Sequence, residues 1–493
     1  MRKLLLFFLF IFITVAAYAQ TYNVSEFGIK GDNVTLNTRS IQKAIDYVSS
    51  HGGGQLVFDQ GKYITGSIYL KSNVILNLEA GATLLGSTNP FDYPIDSVVK
   101  WKSLIYSIEQ KNVGITGRGM IDGRGFRTAM NSLNMVYRGL IKDELLNDRV
   151  REPKRPENLY FYKCDHIIIK GITLKNSASW NQTYNQCSNL LVDHISVDNK
   201  SYWNNDGIDI VDSRHVVIRD SYFDAADDVL CLKSFDTTKM CEDVLIEHCV
   251  ARSSANALKF GTGSRGGFKD ITVRNLTVYD TYRSAIALEA VDGGIVENVL
   301  IDSVRAINTG NIIFLRIGNR NSQGRTPSMK NITIENVYAE VAFKKPDAGY
   351  RYEGPVEDLP RNISPCSIAG LPQYKIKNVL LKNIEIVYPG GGNPNYAYAG
   401  LSPKDLDSIP EMPAAYPEFS QFKELPAWGF FIRHAEDIHF NNVTVRAKRK
   451  DYRPAIVMDD VNGIDFKNVK ILEPNAGHKK QIFSYKSQNV KGN

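Results

Sequence analysis

From residue 112 onward, one short pattern of apolar and polar positions recurs along the chain: an Asn, Asp or His, then alternating apolar residues, a polar break and a second short apolar pair. Asn112 opens Val113 and Ile115, His166 opens Ile167 to Ile169, Asn189 opens Leu190 to Val192, and His215 opens Val216 to Ile218. Asp243, Asp270, Asn298 and Asn331 open the next copies, and Asn378, Asp437 and Gly463 the last ones. From Ile167 the apolar starts advance by 23, 26, 28, 27 and 28 residues before longer insertions intervene. That period is one turn of a solenoid, too short for a domain. The apolar runs are short, rich in β-branched side chains and separated by Gly, Asn, Asp and Ser, so each turn is built of strands rather than helices. The predicted fold is all-β: a single-stranded right-handed parallel β-helix, in which a coil buries its apolar face only against the coils above and below. A leucine-rich solenoid is the rival, and its fixed leucine frame is missing.

An open solenoid end needs a cap, and residues 37–49 supply one candidate. Ile41, Ala44, Ile45 and Val48 fall at helical spacing and the run ends at Gly52, Gly53 and Gly54. Strands are predicted to follow at 55–58, 66–70 and 74–78. Three stretches break the repeat: residues 124–157, charged and with a helical patch, 342–374, and 389–426, rich in Pro, Gly and Tyr. Long insertions in a rigid stack usually shape a site, so these are expected to wall one end of a groove. Residues 1–19 read as a secretory signal peptide: Arg2 and Lys3, an apolar stretch from Leu4 to Val15, and Ala17-Tyr18-Ala19 at the exit. The apolar stretch is shorter than the roughly 20 residues that span a bilayer. The predicted organisation is thus an export signal, 1–19, and one β-helix domain, 20–493. The protein is expected to be exported, periplasmic or extracellular, without a membrane partner and monomeric.

Composition narrows the partners. Removing Arg2 and Lys3 lowers the formal charge of +6 to +4, spread without basic runs, which gives no nucleic-acid footprint and only permits an acidic polysaccharide. The six cysteines match no zinc spacing and sit mostly in apolar runs, which points to buried thiols, with one or two bridges left open.

The candidate chemistry lies in three aspartates one coil apart: Asp206, and the adjacent Asp227 and Asp228. If successive coils stack, their carboxyls meet about 5 Å apart. Crowded acids repel, which leaves one protonated beside ionised neighbours, the combination that glycosidic hydrolysis uses. Asp209, Asp212, Asp220 and Asp224 are read as turn acids bonded to their own backbone. His215 and His248 fall in the repeat frame and are read as turn residues. Nearby coils offer Trp180 and Trp203, suited to sugar faces, and Lys233, Asn204, Asn256, Lys259, Arg316 and Arg320 as polar or cationic contacts to substrate.

With these residues in view, the sequence resembles glycoside hydrolase family 28, the polygalacturonase family, over nearly the whole mature chain. The likeness rests on Gly52-Gly53-Gly54, Ile121-Asp122-Gly123, Asn204-Asn205-Asp206, Asp227-Asp228 and Arg316-Ile317-Gly318. The resemblance implies inverting hydrolysis of α-linked galacturonic acid or a related pectic sugar, with no metal and no cofactor, and insertions that close the groove would make it act from chain ends. Asp227 would be the general acid, with Asp206 and Asp228 activating water; inversion asks for acid and base about 6.5 to 9.5 Å apart. Two departures stand out: Asn256 where the family has a histidine, and Gly318 where it has the lysine that helps hold a galacturonate carboxylate. Lys259 or Arg320 is expected to substitute, or else the sugar is a neutral or branched unit as in rhamnogalacturonan. A calcium-dependent polysaccharide lyase and a non-catalytic carbohydrate-binding β-helix are the alternatives.

Overall fold

The computed structural model describes residues 20–146, 148–351, 363–396 and 400–492. The predicted export signal, 1–19, lies outside them, as do short parts of the second and third insertions. The chain winds as a right-handed parallel β-helix, as its repeat predicts. Each coil contributes strands to three columns. The first runs through Gln182–Asn185, Ile208–Val211, Leu230–Ser234 and Leu258–Ser264. The second runs through Ser188–Asp193, Arg214–Arg219 and Cys241–Glu247, and the third through Ser196–Asn199, Tyr222–Ala225 and Val250–Ser253, every neighbour parallel.

The register explains the period. Ile169, Val192, Ile218, Ile246, Val273, Ile301 and Ile334 stand one above another in consecutive coils, each with 0% exposure. Burying such a side chain contributes about 1.5 to 3 kcal/mol, so each coil is stabilised chiefly by its neighbours. The residue that opens each repeat has a backbone reason. Asn112, His166, Asn189, His215, Asp243, Asp270, Asn298, Asn331, Asn378 and Asp437 all have φ between 51° and 60°, and Gly463 has 80°. This left-handed conformation is tolerated by Gly and, among residues with a Cβ, best by Asn, Asp and His. The side chains then ladder outside: Asn298 donates to Asp270 (2.8 Å), Asn331 to Asn298 (3.0 Å) and Asn378 to Asn331 (2.8 Å).

Thr38–Ser50 is the predicted helix, shifted by one residue, with Ile41, Ala44, Ile45 and Val48 buried against the first coils. Asn37 before it does not cap it; its side chain bonds Lys30 N and the carbonyls of Lys30 and Thr35. The run 66–70 resolves into Gly61–Thr65 and Ile68–Tyr69, with Gly66 in the break between them. All six cysteines are free and buried, as small apolar side chains would be.

The insertions differ from one another. The first carries a helix, Gly125–Tyr137, and a single turn, Glu152–Lys154, and ends before the strand Glu157–Tyr162. The second is not wholly an insertion. Cys366–Ala369 inside it is a strand of the first column, paired with Phe314–Arg316 before it and Phe430–Arg433 after it. The third contributes Leu406, Ile409, Phe419, Phe422 and Leu425 to an apolar cluster with Ala287, Phe314, Ala369, Phe431 and Val457. Along the outer face of the first column the register runs Asp209, Cys231, Lys259, Ala287, Phe314. The face is polar up to Lys259 and apolar beyond it, and the third insertion covers the apolar part.

Candidate active site

The corner leading into the first column gathers the three predicted aspartates. Asp206 precedes Ile208–Val211, Asp227 and Asp228 precede Leu230–Ser234, and Asn256 precedes Leu258–Ser264. Backbone bonds stack these corners: Gly207 N donates to Asp228 O and Val229 N to Asn256 O, both at 2.9 Å. Gly207 is required by this approach, since a Cβ there would lie 2.6 Å from the Val229 carbonyl oxygen. One oxygen of Asp206, one of Asp228 and the Cys231 Sγ fall within 4.8 Å of one another, the spacing of stacked coils.

The acids meet three different environments. Asp228 receives hydrogen bonds from Asn256 N (3.1 Å) and Asn256 Nδ2 (2.9 Å) and an ion pair from Lys259 Nζ (3.1 Å). Although burial opposes it, Lys259 with further cations and the Asn256 bonds holds Asp228 below the usual carboxylate range. Asp227 is half-buried, and burial, with the charge of Asp228 second, pushes it up to about 6. Asp206 is driven well upward, mostly by burial and then by the carboxyls of Asp209, Asp227 and Asp228; its one cation, Lys233 at 3.1 Å, is shared with Asp209.

Asp209 is therefore not the local turn acid the sequence suggested. It is fully buried and paired with Lys233. Asp224 likewise binds Lys200, Arg252 and, at 2.6 Å, the Tyr350 hydroxyl rather than its own turn. Asp212 accepts from Ser234, Phe235 and Asp236 of the next coil, and Asp220 lies 3.5 Å from His248. His215 bonds Asp243, away from the carboxyl cluster.

Of the predicted contacts, Lys233, Trp180, Asn256 and Lys259 come together with the acids. The Lys233 ammonium sits 4.3 Å from the Trp180 ring centroid and 2.9 Å from Cys231 Sγ. Lys259 is fully buried and also meets the Tyr416 hydroxyl at 3.2 Å and Glu418 at 3.6 Å. The others are committed elsewhere. Asn204 accepts from Arg155 (2.8 Å), and Trp203 packs against Arg149 and residues of the first insertion's helix, Gly125–Tyr137. Arg316 stands two coils beyond Lys259 and gives its guanidinium to the carbonyls of Gly370, Glu411 and Met412, pinning the third insertion. Arg320 grips both oxygens of Asp292, at 3.0 and 2.9 Å, with its guanidinium 6.0 Å from the Tyr416 ring centroid.

Four participants escaped sequence reasoning. Arg283 pairs with Glu418 at 2.6 Å, and Tyr416 and Glu418 arrive from the third insertion. Glu289 lies on the coil after Lys259, fully buried, with neither carboxyl oxygen hydrogen-bonded; burial pushes it up to about 8. Register could have found Glu289, because Lys259 pairs with Ala287 two residues before it; nothing local signals Glu418. Asn181, which the sequence places on the same coil as Trp180 and offers with it, is buried with both amide atoms unbonded.

Two groups have metal-ligand geometry. Asp206, Asp228 and Cys231 could surround a cation, but the Lys233 ammonium already lies against Asp206 and Cys231. Asp193, His194 and Asp220 form the other, where Lys170 (3.0 Å) and Arg219 (3.2 Å) already neutralise Asp193. Among the described residues no helix is long and apolar enough to cross a membrane.

The sequence model of glycosyl hydrolases family 28 matches residues 60–345. An exo-poly-alpha-D-galacturonosidase of Dickeya chrysanthemi is 24% identical over 488 residues, covering 90% of this chain and 73% of that protein. An endo-polygalacturonase of Pectobacterium carotovorum subsp. carotovorum is 22% identical over 374 residues, covering 72% of this chain and 89% of its own. Among solved structures, a family 28 exopolygalacturonase of Yersinia enterocolitica superposes with a TM-score of 0.56 at 19% identity, over 96% of this chain and 78% of the other.

Proposed function

On the premise that the chain belongs to glycosyl hydrolases family 28 and is a glycosidase, we propose that it hydrolyses an α-glycosidic bond of a pectic polysaccharide with inversion. One observation carries the reading: two adjacent carboxyls are set apart, Asp227 raised to about 6 and half-buried, Asp228 lowered and held by a lysine and two N–H donors. Two acids driven in opposite directions are the division of labour this reaction needs. Asp227 protonates the leaving oxygen. Asp228, ionised, takes a proton from the attacking water, and Asp206, within 4.8 Å of it, holds that water. Lys233 and Lys259 are positioning residues: each keeps its acids in place and balances their charge. Trp180 offers a sugar-stacking face beside them. The third insertion, packed on the outer face beyond Lys259, supports a groove closed at that end and action on chain ends. The calcium-dependent lyase alternative loses ground because an ammonium fills the space a cation would need. Export and a monomeric state are part of the same proposal.

The test is incubation of the purified protein with polygalacturonan and rhamnogalacturonan oligosaccharides, without calcium. New reducing ends are expected, of inverted anomeric configuration by proton NMR at early times. No new reducing ends on any pectic substrate, or an unsaturated product absorbing in the ultraviolet, would overturn the reading.

A further inference from the structure

Around Asp228 the protein has matched its own cations with its own acids. Lys259 Nζ lies 3.1 Å from Asp228 and 3.6 Å from Glu418, and Arg283 lies 2.6 Å from Glu418. Arg320 is held by both oxygens of Asp292, and Arg316 by three backbone carbonyls. Beneath Lys259 a further acid, Glu289, is fully buried with no hydrogen-bond donor on either oxygen. A sugar carboxylate is bound by cations that have hydrogen bonds left to give, most strongly by an arginine fork. Here such a carboxylate would have to displace Glu418 from Lys259 and Arg283, and it would enter beside Asp228 and the displaced Glu418. Like charges brought together at low dielectric repel strongly. A hydroxyl or an ester carbonyl carries no such penalty.

We propose that the sugar unit seated between Asp228 and the third insertion is one without a free carboxylate, a neutral hexose or deoxyhexose or a methyl-esterified uronate of a pectic chain, and that Glu418 sets this choice by occupying the two cations. The proposal deepens the reading above and rests on it for the pectic nature of the substrate. Burial keeps Glu289 protonated up to about 8, so it is not the partner of Lys259; the ion-pair contacts of Lys259 and Arg283 go to Asp228 and Glu418. Glu418 comes from an insertion, the part of a solenoid that can change without disturbing the stack.

The experiment compares oligosaccharides that differ only in a free or methyl-esterified carboxyl, with neutral-sugar counterparts, in the wild type and in Glu418→Gln. kcat/KM is measured, and binding of the same compounds to the Asp227→Asn variant and to the double variant with Glu418→Gln is measured by calorimetry. The wild-type site is expected to prefer uncharged compounds by about tenfold or more, mostly in KM, and Glu418→Gln to narrow that preference by about tenfold. A wild type that prefers the free acid, or a folded Glu418→Gln protein with an unchanged ranking, overturns the proposal. If Glu418→Gln does not fold, the ranking measured with the wild type and with Asp227→Asn decides alone. Cleavage of free-acid oligosaccharides as the preferred substrate would sink this inference and leave the hydrolase reading standing. Absence of cleavage with the calorimetric preference intact would do the reverse.

Discussion

Replacing Asp227 with Asn should stabilise the protein as it disables it, with a pH signature that identifies the cause. In the folded state Asp227 titrates at about 6, against about 4 for an unfolded aspartate. A folded-state value raised above the unfolded one means that the native protein holds the proton more tightly. The stability this gives is therefore present below about 4, is lost progressively as pH rises to about 6, and stays lost above it. A difference near 2 pH units corresponds to roughly 3 kcal/mol, and sharing of charge with Asp228 brings the expected effect to about 2 kcal/mol. Asparagine keeps the size and can still accept the Asp228 N–H now received at 3.0 Å, but it does not ionise. Urea denaturation of both proteins at pH 4 and at pH 7.5 should give near-equal stability at the lower pH and a variant about 2 kcal/mol more stable at the higher. Activity should fall on the order of a thousandfold with natural substrates, and much less with an aryl glycoside whose leaving group needs no proton. A stability difference independent of pH, or equal losses on both kinds of substrate, would refute the assignment of the acid.

Other consequences follow from the same geometry. In the wild type, kcat/KM should fall about tenfold per pH unit above about 6, as Asp227 loses its proton, and on the acid side only below the ordinary carboxylate range, where Asp228 gains one; a pH–rate profile reads both limbs. Lys259→Met removes the largest influence lowering Asp228, so the acid limb should move up in pH, while loss of a buried ion pair costs about 3 to 5 kcal/mol in thermal unfolding. An unmoved limb in a folded variant would count against Asp228 as the base. In the repeat frame, Asn331 has φ 59°, so Asn331→Val should cost about 1 to 2 kcal/mol or more and Asn331→Gly markedly less, measured as thermal midpoints.

The fold was legible because two independent constraints fall at the same period. The apolar pair of each coil must face the stack, and the residue before it must adopt a left-handed backbone, so Asn, Asp or His precedes Val, Ile or Leu every 23 to 28 residues. Cys366–Ala369 escaped because a four-residue strand, buried at every position, carries no alternation and follows a long interruption. At the site, Asp206, Asp227 and Asp228 were legible through spacing. Arg316-Ile317-Gly318 was matched by composition, which does not tell the coil a match occupies; its arginine lies two coils past Lys259. The pairing of Arg283 with Glu418 spans 135 residues and depends on where an irregular insertion lands, which no local pattern encodes.

A solenoid would be expected to give equivalent positions equivalent surroundings, yet chemistry needs acids that differ. The difference arises from what the following coil sends back. Asp206 and Asp209 receive one lysine between them, Lys233, and burial then pushes Asp206 upward. Asp228 receives Lys259 to itself among the three clustered aspartates, with Asn256 added. The Ser284 N–H bonds Asn256 Oδ1 at 3.0 Å, which fixes the amide so that Nδ2 must point at Asp228. Asn256 thus supplies a donor without a charge, whereas a protonated imidazole in its place would also draw down the neighbouring Asp227 and weaken its hold on the proton. The exchange of histidine for asparagine, which on sequence grounds looks like the loss of a functional group, is in physical terms compatible with keeping the two adjacent carboxyls apart: Asp228 stays ionised through Lys259, and Asp227 keeps its proton to about 6.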